Sequence, residues 1–179
     1  KQDCLSARVQ ARYPEALPVH RLDLGTSGLL VLARGPEMHR ALNRLFATRR
    51  VEKRYVALVA GRMEASEQVI DLPLIADWPN RPLQMVDHAI GKPSRTRLCV
   101  VGYEPWLDAT RVDLFPETGR SHQLRVHLQT IGYPILGDEF YAPPEVFARA
   151  TRLLLHATVL AFRHPSTATA LRVESPAPF

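Results

Sequence analysis

Segments with strand character follow one another through the middle of this chain, at 51–60, 67–72, 95–103 and 109–115, with no helical stretch between them. Strands that succeed each other without a crossover helix pair antiparallel. The chain is therefore expected to fold as an α+β domain, with a mixed but mainly antiparallel sheet and flanking helices, and not as a doubly wound fold. At 179 residues, with no repeat and no linker, a single domain over 1–179 is expected.

The remaining patterns are sparse. A helix is expected around 3–13, with Leu5, Val9 and Tyr13 on one face. Gly28-Leu29-Leu30-Val31-Leu32-Ala33 is short and wholly apolar, which predicts a buried strand. Pro36 then opens a helix carrying Met38, Ala41, Leu42, Leu45 and Phe46. A second strong helix is expected over 121–131, capped by Ser121, with Leu124, Leu128 and Ile131 as its apolar face and Gly132 as its stop. Two closing strands, 153–163 and 168–174, flank the turn His164-Pro165-Ser166. No apolar run approaches bilayer length and no signal-like segment opens the chain. Cys4 and Cys99 form no CxxC and are expected as buried thiols in a reducing cytoplasm.

A net charge of +5 suits a polyanionic partner without requiring one. Three clusters carry candidate chemistry. The first, Val19-His20-Arg21-Leu22-Asp23-Leu24-Gly25-Thr26-Ser27-Gly28, puts an arginine and a carboxylate in a glycine-bearing loop before the apolar segment. Arg21 and Asp23 fit a turn ion pair as well as a catalytic pair. The second, Pro116 to His127, leads through Gly119 into a helix N-terminus rich in donors. Such a junction favours an anion, and it also fits an ordinary helix start with solvated side chains. The third, Arg49-Arg50-Val51-Glu52-Lys53-Arg54-Tyr55, joins cations to an aromatic, a combination that suits RNA. It fits a solvated helix end equally, and Tyr55 fits a strand core.

Walker, GxGxxG, GxSxG, HExxH and zinc-deaminase patterns are absent, and His122 and His127 lie five apart, off a shared helix face. No metal or nucleotide cofactor is expected.

Together the clusters are more specific than any one alone. His20-Arg21-Leu22-Asp23-x-x-Thr26-Ser27-Gly28 resembles the signature of the RluA family of pseudouridine synthases. Lys53-Arg54-Tyr55-Val56-Ala57, Gly119-Arg120-Ser121-His122-Gln123-Leu124-Arg125-Val126-His127, Pro134-Ile135-Leu136-Gly137-Asp138 and Leu154-Leu155-His156-Ala157 follow in the family's order. Asp71-Leu72-Pro73-Leu74, Asp77-Trp78-Pro79-Asn80-Arg81-Pro82 and Gly91-Lys92-Pro93 resemble the small members that act on both a 23S rRNA hairpin and a tRNA anticodon stem-loop. Family members carry an upstream strand with a Lys-Pro-x-Gly motif. The chain starts after its place, so a short N-terminal segment and one strand are expected to be missing, with no S4 domain.

The resemblance implies a central cleft in which uridine is isomerised to pseudouridine without cofactor, metal or energy source. It assigns Asp23 as the catalytic carboxylate, with attack on C1′, addition to C6 and ribose proton abstraction all open to it. A buried carboxylate needs a cation to stay ionised, and the resemblance gives that role to Arg120. Arg21 would fill the stack vacated by the flipped base, and Tyr55 would pack on that base and accept its C5 proton. Leu124 is a candidate pocket wall as well as helix core, and Arg50 and Lys53 are candidate phosphate contacts. A cytoplasmic monomer acting on RNA is expected, with no membrane partner. A non-catalytic RNA-binding module is the main rival, and a metal-free hydrolase using Asp23 lacks a second group to activate water.

Overall fold

The four central strands pair antiparallel with their sheet neighbours, although 51–60 and 67–72, successive in the chain, do not pair with each other. The computed structural model describes residues 3–179. In chain order its elements are α1 (Leu5–Arg12), β1 (Ala16–Pro18), β2 (Ser27–Gly28), β3 (Leu32–Arg34), α2 (Pro36–Ala47), β4 (Glu52–Ala60), β5 (Glu67–Asp71), β6 (Leu74–Ala76), β7 (Gln84–Val86), β8 (Arg95–Glu104), β9 (Ala109–Pro116), α3 (Gln123–Thr130), α4 (Pro144–Phe147), β10 (Leu155–Arg163) and β11 (Ala170–Glu174). The main sheet runs β11-β10-β4-β9-β8-β5, and β2 adds to β10 in parallel. Two small antiparallel ladders, β1–β3 and β6–β7, stand apart from it. The expected α+β architecture is thus present.

Register places the site. Gly28 of β2 lies opposite Ala157 of β10, which lies opposite Tyr55 of β4. Tyr55 in turn faces Leu114 of β9, and Leu114 faces Leu98 of β8. Because side chains alternate along a strand, this row and its even-numbered offsets share one face. Ala57, Val59, Leu98, Val112, Leu114 and Leu155 form the core there, beneath Leu124 and Leu128 of α3. A second cluster packs Leu42 of α2 with Val19 and Ala33.

Gly28 is the joint between the first loop and this sheet. Its φ is +109°, and a Cβ would overlap the Ala157 carbonyl oxygen. Gly28→Ala is expected to cost about 1–3 kcal/mol or more from backbone strain, with added loss from clash. Thermal melting checks this, and an unchanged midpoint would refute the close approach.

Several sequence expectations need correction. The apolar segment 28–33 is two short strands in different ladders. Between β2 and β3, Leu29 N–H still bonds Ala157 O at 2.9 Å, but Val31 N–H turns to His20 Nε2 at 3.1 Å. Only Ala33 of the segment is buried, because the chain is leaving the main sheet there. Helix α1 forms but buries none of its residues; Leu5 and Tyr13 are exposed. Ser121 does not cap α3, which starts at Gln123 after His122 in a left-handed conformation (φ 53°). Cys4 is exposed and Cys99 only half-buried, since one precedes the unburied α1 and the other lies on the outer face of β8. The β6–β7 hairpin and α4 lacked a readable period, at three and four residues each.

Candidate active site

The loop before β2 folds back on itself. Thr26 N–H donates to Asp23 O at 2.9 Å, closing a tight turn that leaves Arg21 exposed and Asp23 half-buried. Ser27, just after it, is held by His156 Nδ1 at 2.8 Å and by an Arg152 guanidinium nitrogen at 2.6 Å. Since β2 and β4 flank β10 at the same residue, Asp23 and Tyr55 come to one cavity.

That cavity has two parts. An inner pocket of about 150 Å³ is lined by Leu22, Asp23, Thr26, Tyr55, Gln123, Leu124 and Leu155 among others. It opens into a cleft of about 930 Å³ between α2 and the 116–120 turn, lined by His20, Phe46, Arg49 and Glu117. Arg21, Lys53, Tyr55 and Arg120 border both. The inner pocket has room for one base but not for a base pair. Its walls are firm, because Leu124 and Leu155 also belong to the core.

The electrostatics follow from burial. Desolvation, aided by the Asp23 charge, pushes the Tyr55 hydroxyl up to about 12, so it is protonated at neutral pH. His20 is pushed down to about 4 by desolvation and then by Lys53, and it acts as a neutral acceptor stacked on Phe46 at 4.7 Å. Desolvation and Arg49 lower Lys53, whose Nζ donates to Thr118 O at 3.3 Å. Behind the pocket, Arg125 grips Asp138 with two hydrogen bonds of 2.8 and 2.5 Å, both side chains almost fully buried. Burial would lower the Arg125 pKa, yet the Asp138 bonds, the Asp138 charge and the Asp23 charge outweigh it and hold it raised. His122 is lowered by burial while Asp23 raises it, so the Asp23 field reaches this wall too.

The sequence pattern of the RNA pseudouridylate synthase family matches residues 2–130. The chain belongs to that family. The dual-specificity RNA pseudouridine synthase RluA of Escherichia coli (strain K12) is 49% identical over 178 residues, covering 99% of this chain and 81% of the relative. The enzyme of the same name from Vibrio parahaemolyticus serotype O3:K6 (strain RIMD 2210633) is 51% identical over 168 residues, covering 92% and 67%. Human RNA Pseudouridylate Synthase Domain Containing 1 superposes with a TM-score of 0.85 at 32% identity, over 98% of this chain and 74% of that one. The chain is an RNA pseudouridine synthase, as its sequence motifs led us to expect.

In this synthase Asp23, Tyr55, Arg21, Lys53, Leu124 and Arg120 share the cavity. Arg50 does not line it; its neighbour Arg49, at φ 58°, turns toward the cleft instead. The expected Asp23–Arg120 ion pair is absent among the described residues. Arg120 sits on an exposed turn, and its Nε donates to Pro93 O at 3.2 Å. The buried guanidinium that the Asp23 charge raises is Arg125, five residues further on and paired with Asp138.

Sequence reasoning also missed Gln123. This buried amide accepts Arg120 N–H at 3.0 Å and Thr118 Oγ1–H at 2.7 Å. It donates to Arg95 O and to Thr96 Oγ1, both at 3.0 Å. It thereby pins the cleft turn to β8. A buried glutamine at the start of a helix was the available signal.

Proposed function

We propose that this synthase isomerises specific uridines in stem-loops of 23S rRNA and tRNA, flipping the target base into the inner pocket and using Asp23 as its catalytic carboxylate. One observation carries the reading: a carboxylate borders a one-base pocket that opens into a wide cleft rimmed by Arg21, Arg49 and Arg120. A carboxylate facing a polyanion weakens binding, so its presence there argues for chemistry. The dual specificity for which the relatives are named supports more than one RNA substrate.

In the reaction the N1–C1′ bond breaks, the base turns, C5 joins C1′, and the C5 proton leaves as N1 gains one. Flipping costs a few kcal/mol, which Arg21 offsets by occupying the vacated stack. The Tyr55 ring packs on the flipped base beside Leu124. Its hydroxyl starts as a donor, because burial and Asp23 hold it protonated. Once Asp23 is neutralised by bonding or protonation, one of the two causes that raise this group is gone. Tyr55→Phe is expected to keep RNA affinity and to lose turnover by about 10²-fold or more. Full turnover in that variant would leave the ring as the whole contribution of Tyr55.

The direct test uses tRNA and rRNA-hairpin transcripts tritiated at uridine C5. Label release from both is expected. Release from one alone narrows the substrate, and binding without release from either would make the protein an RNA-binding module.

A further inference from the structure

The β6–β7 hairpin carries an exposed aromatic–cation pair that the pocket chemistry does not use. Trp78 is 64% exposed, and the Arg81 guanidinium lies 4.3 Å from its ring centre. The tip is internally braced. Asn80 N–H donates to Asp77 O at 3.1 Å, Leu83 N–H to Asn80 O at 3.0 Å, and Asn80 Nδ2 to Asp77 Oδ2 at 2.9 Å. An indole held in this way loses little freedom when something stacks on it.

Two hydrogen-bonded routes tie the hairpin to the cleft. In one, Gln84 N–H donates to Tyr141 Oη at 2.9 Å, and that hydroxyl lies 2.6 Å from His122 Nδ1. In the other, Leu74 exchanges two backbone bonds with Lys92, and Pro93 O next to it accepts from Arg120 Nε at 3.2 Å. The hairpin therefore stands beside the cavity on the Arg120 side.

We propose that Trp78 and Arg81 form a second RNA contact, a platform on which a base outside the catalytic pocket stacks while the guanidinium faces the backbone. Arg81 covers one indole face and leaves surface for a base on the other. Aromatic and cationic groups together are what single-stranded loop bases bind to. The cleft already gathers Arg21, Arg49 and Arg120, so one RNA passing through it is the occupant that charge favours. The inference rests on the RNA reading above.

The chain has two tryptophans, which makes a direct test possible. Trp106 lies on the 3-10 turn Pro105–Leu107, at the ends of β8 and β9 away from the cleft. In W106F the emission comes from Trp78 alone, and in W78F from Trp106 alone. A tRNA stem-loop at saturating concentration, followed by anisotropy, is expected to quench the first and leave the second unchanged. Trp78→Ala is expected to weaken stem-loop binding about 5- to 100-fold while kcat at saturation holds. Unchanged Trp78 emission with RNA bound overturns the platform, as does unchanged affinity of Trp78→Ala. Quenching without tritium release would keep the platform and refute the proposed activity. No RNA binding at all would refute both.

Discussion

Asp23→Asn is expected to reduce tritium release to background, a loss on the order of 10³-fold or more, while RNA affinity stays level or rises. The two halves of the expectation have separate physical origins. Turnover needs an ionised oxygen as nucleophile or base, and an amide supplies neither. Affinity is dominated by cations meeting phosphates, and the variant removes a negative charge from that surface. Asparagine matches aspartate in volume, and the backbone bond from Thr26 N–H to Asp23 O involves no side chain. The turn should therefore persist. Pseudouridine measured in RNA treated with this variant, above the level of untreated RNA, would remove Asp23 from the mechanism. A fall in affinity with turnover intact would make it a binding residue.

Much of the scaffold for this site was readable from periodicity. Strands of eight to ten residues, such as β4, β8 and β9, repeat their two-residue pattern often enough to stand out. So does α2, whose Leu42 side is apolar and whose opposite side is charged. Loops closed by register were not readable. That Asp23 and Tyr55 meet depends on β2 joining β10 in parallel through two residue pairs, far too short a pattern to carry a signal. The same limit hid the β6–β7 hairpin and the split of the 28–33 segment. The inward placing of Arg125 was hidden for a different reason. An amphipathic reading of α3 puts Leu124 and Leu128 inward and Arg125 toward solvent. In the fold the helix is buried from Gln123 through Leu128, polar residues included. A helix buried all round has no outward face to which an arginine can be assigned, so only the partner, Asp138, reveals which guanidinium turns in.

That partner carries the second large effect. Asp138→Asn is expected to destabilise the protein by about 3–5 kcal/mol, because it leaves the Arg125 guanidinium buried without its counter-charge. For a chain of this length the melting midpoint should fall by roughly 6–20 °C. The amide also sets an N–H donor against one of two guanidinium donors that now find acceptors on both carboxylate oxygens. The Oδ1 bonds to Phe140 and Tyr141 N–H, at 3.0 and 3.1 Å, hold the following turn and weaken with it. Stability alone would not separate a structural pair from a functional one, so a double variant is the deciding measurement. Arg125→Met with Asp138→Leu removes both charges, and apolar replacement of a buried pair is often neutral or better for folding. If the pair served the fold only, the double variant would regain both melting midpoint and turnover. Since the Asp23 charge reaches Arg125 behind the pocket, the expected outcome is a recovered midpoint with turnover still lost.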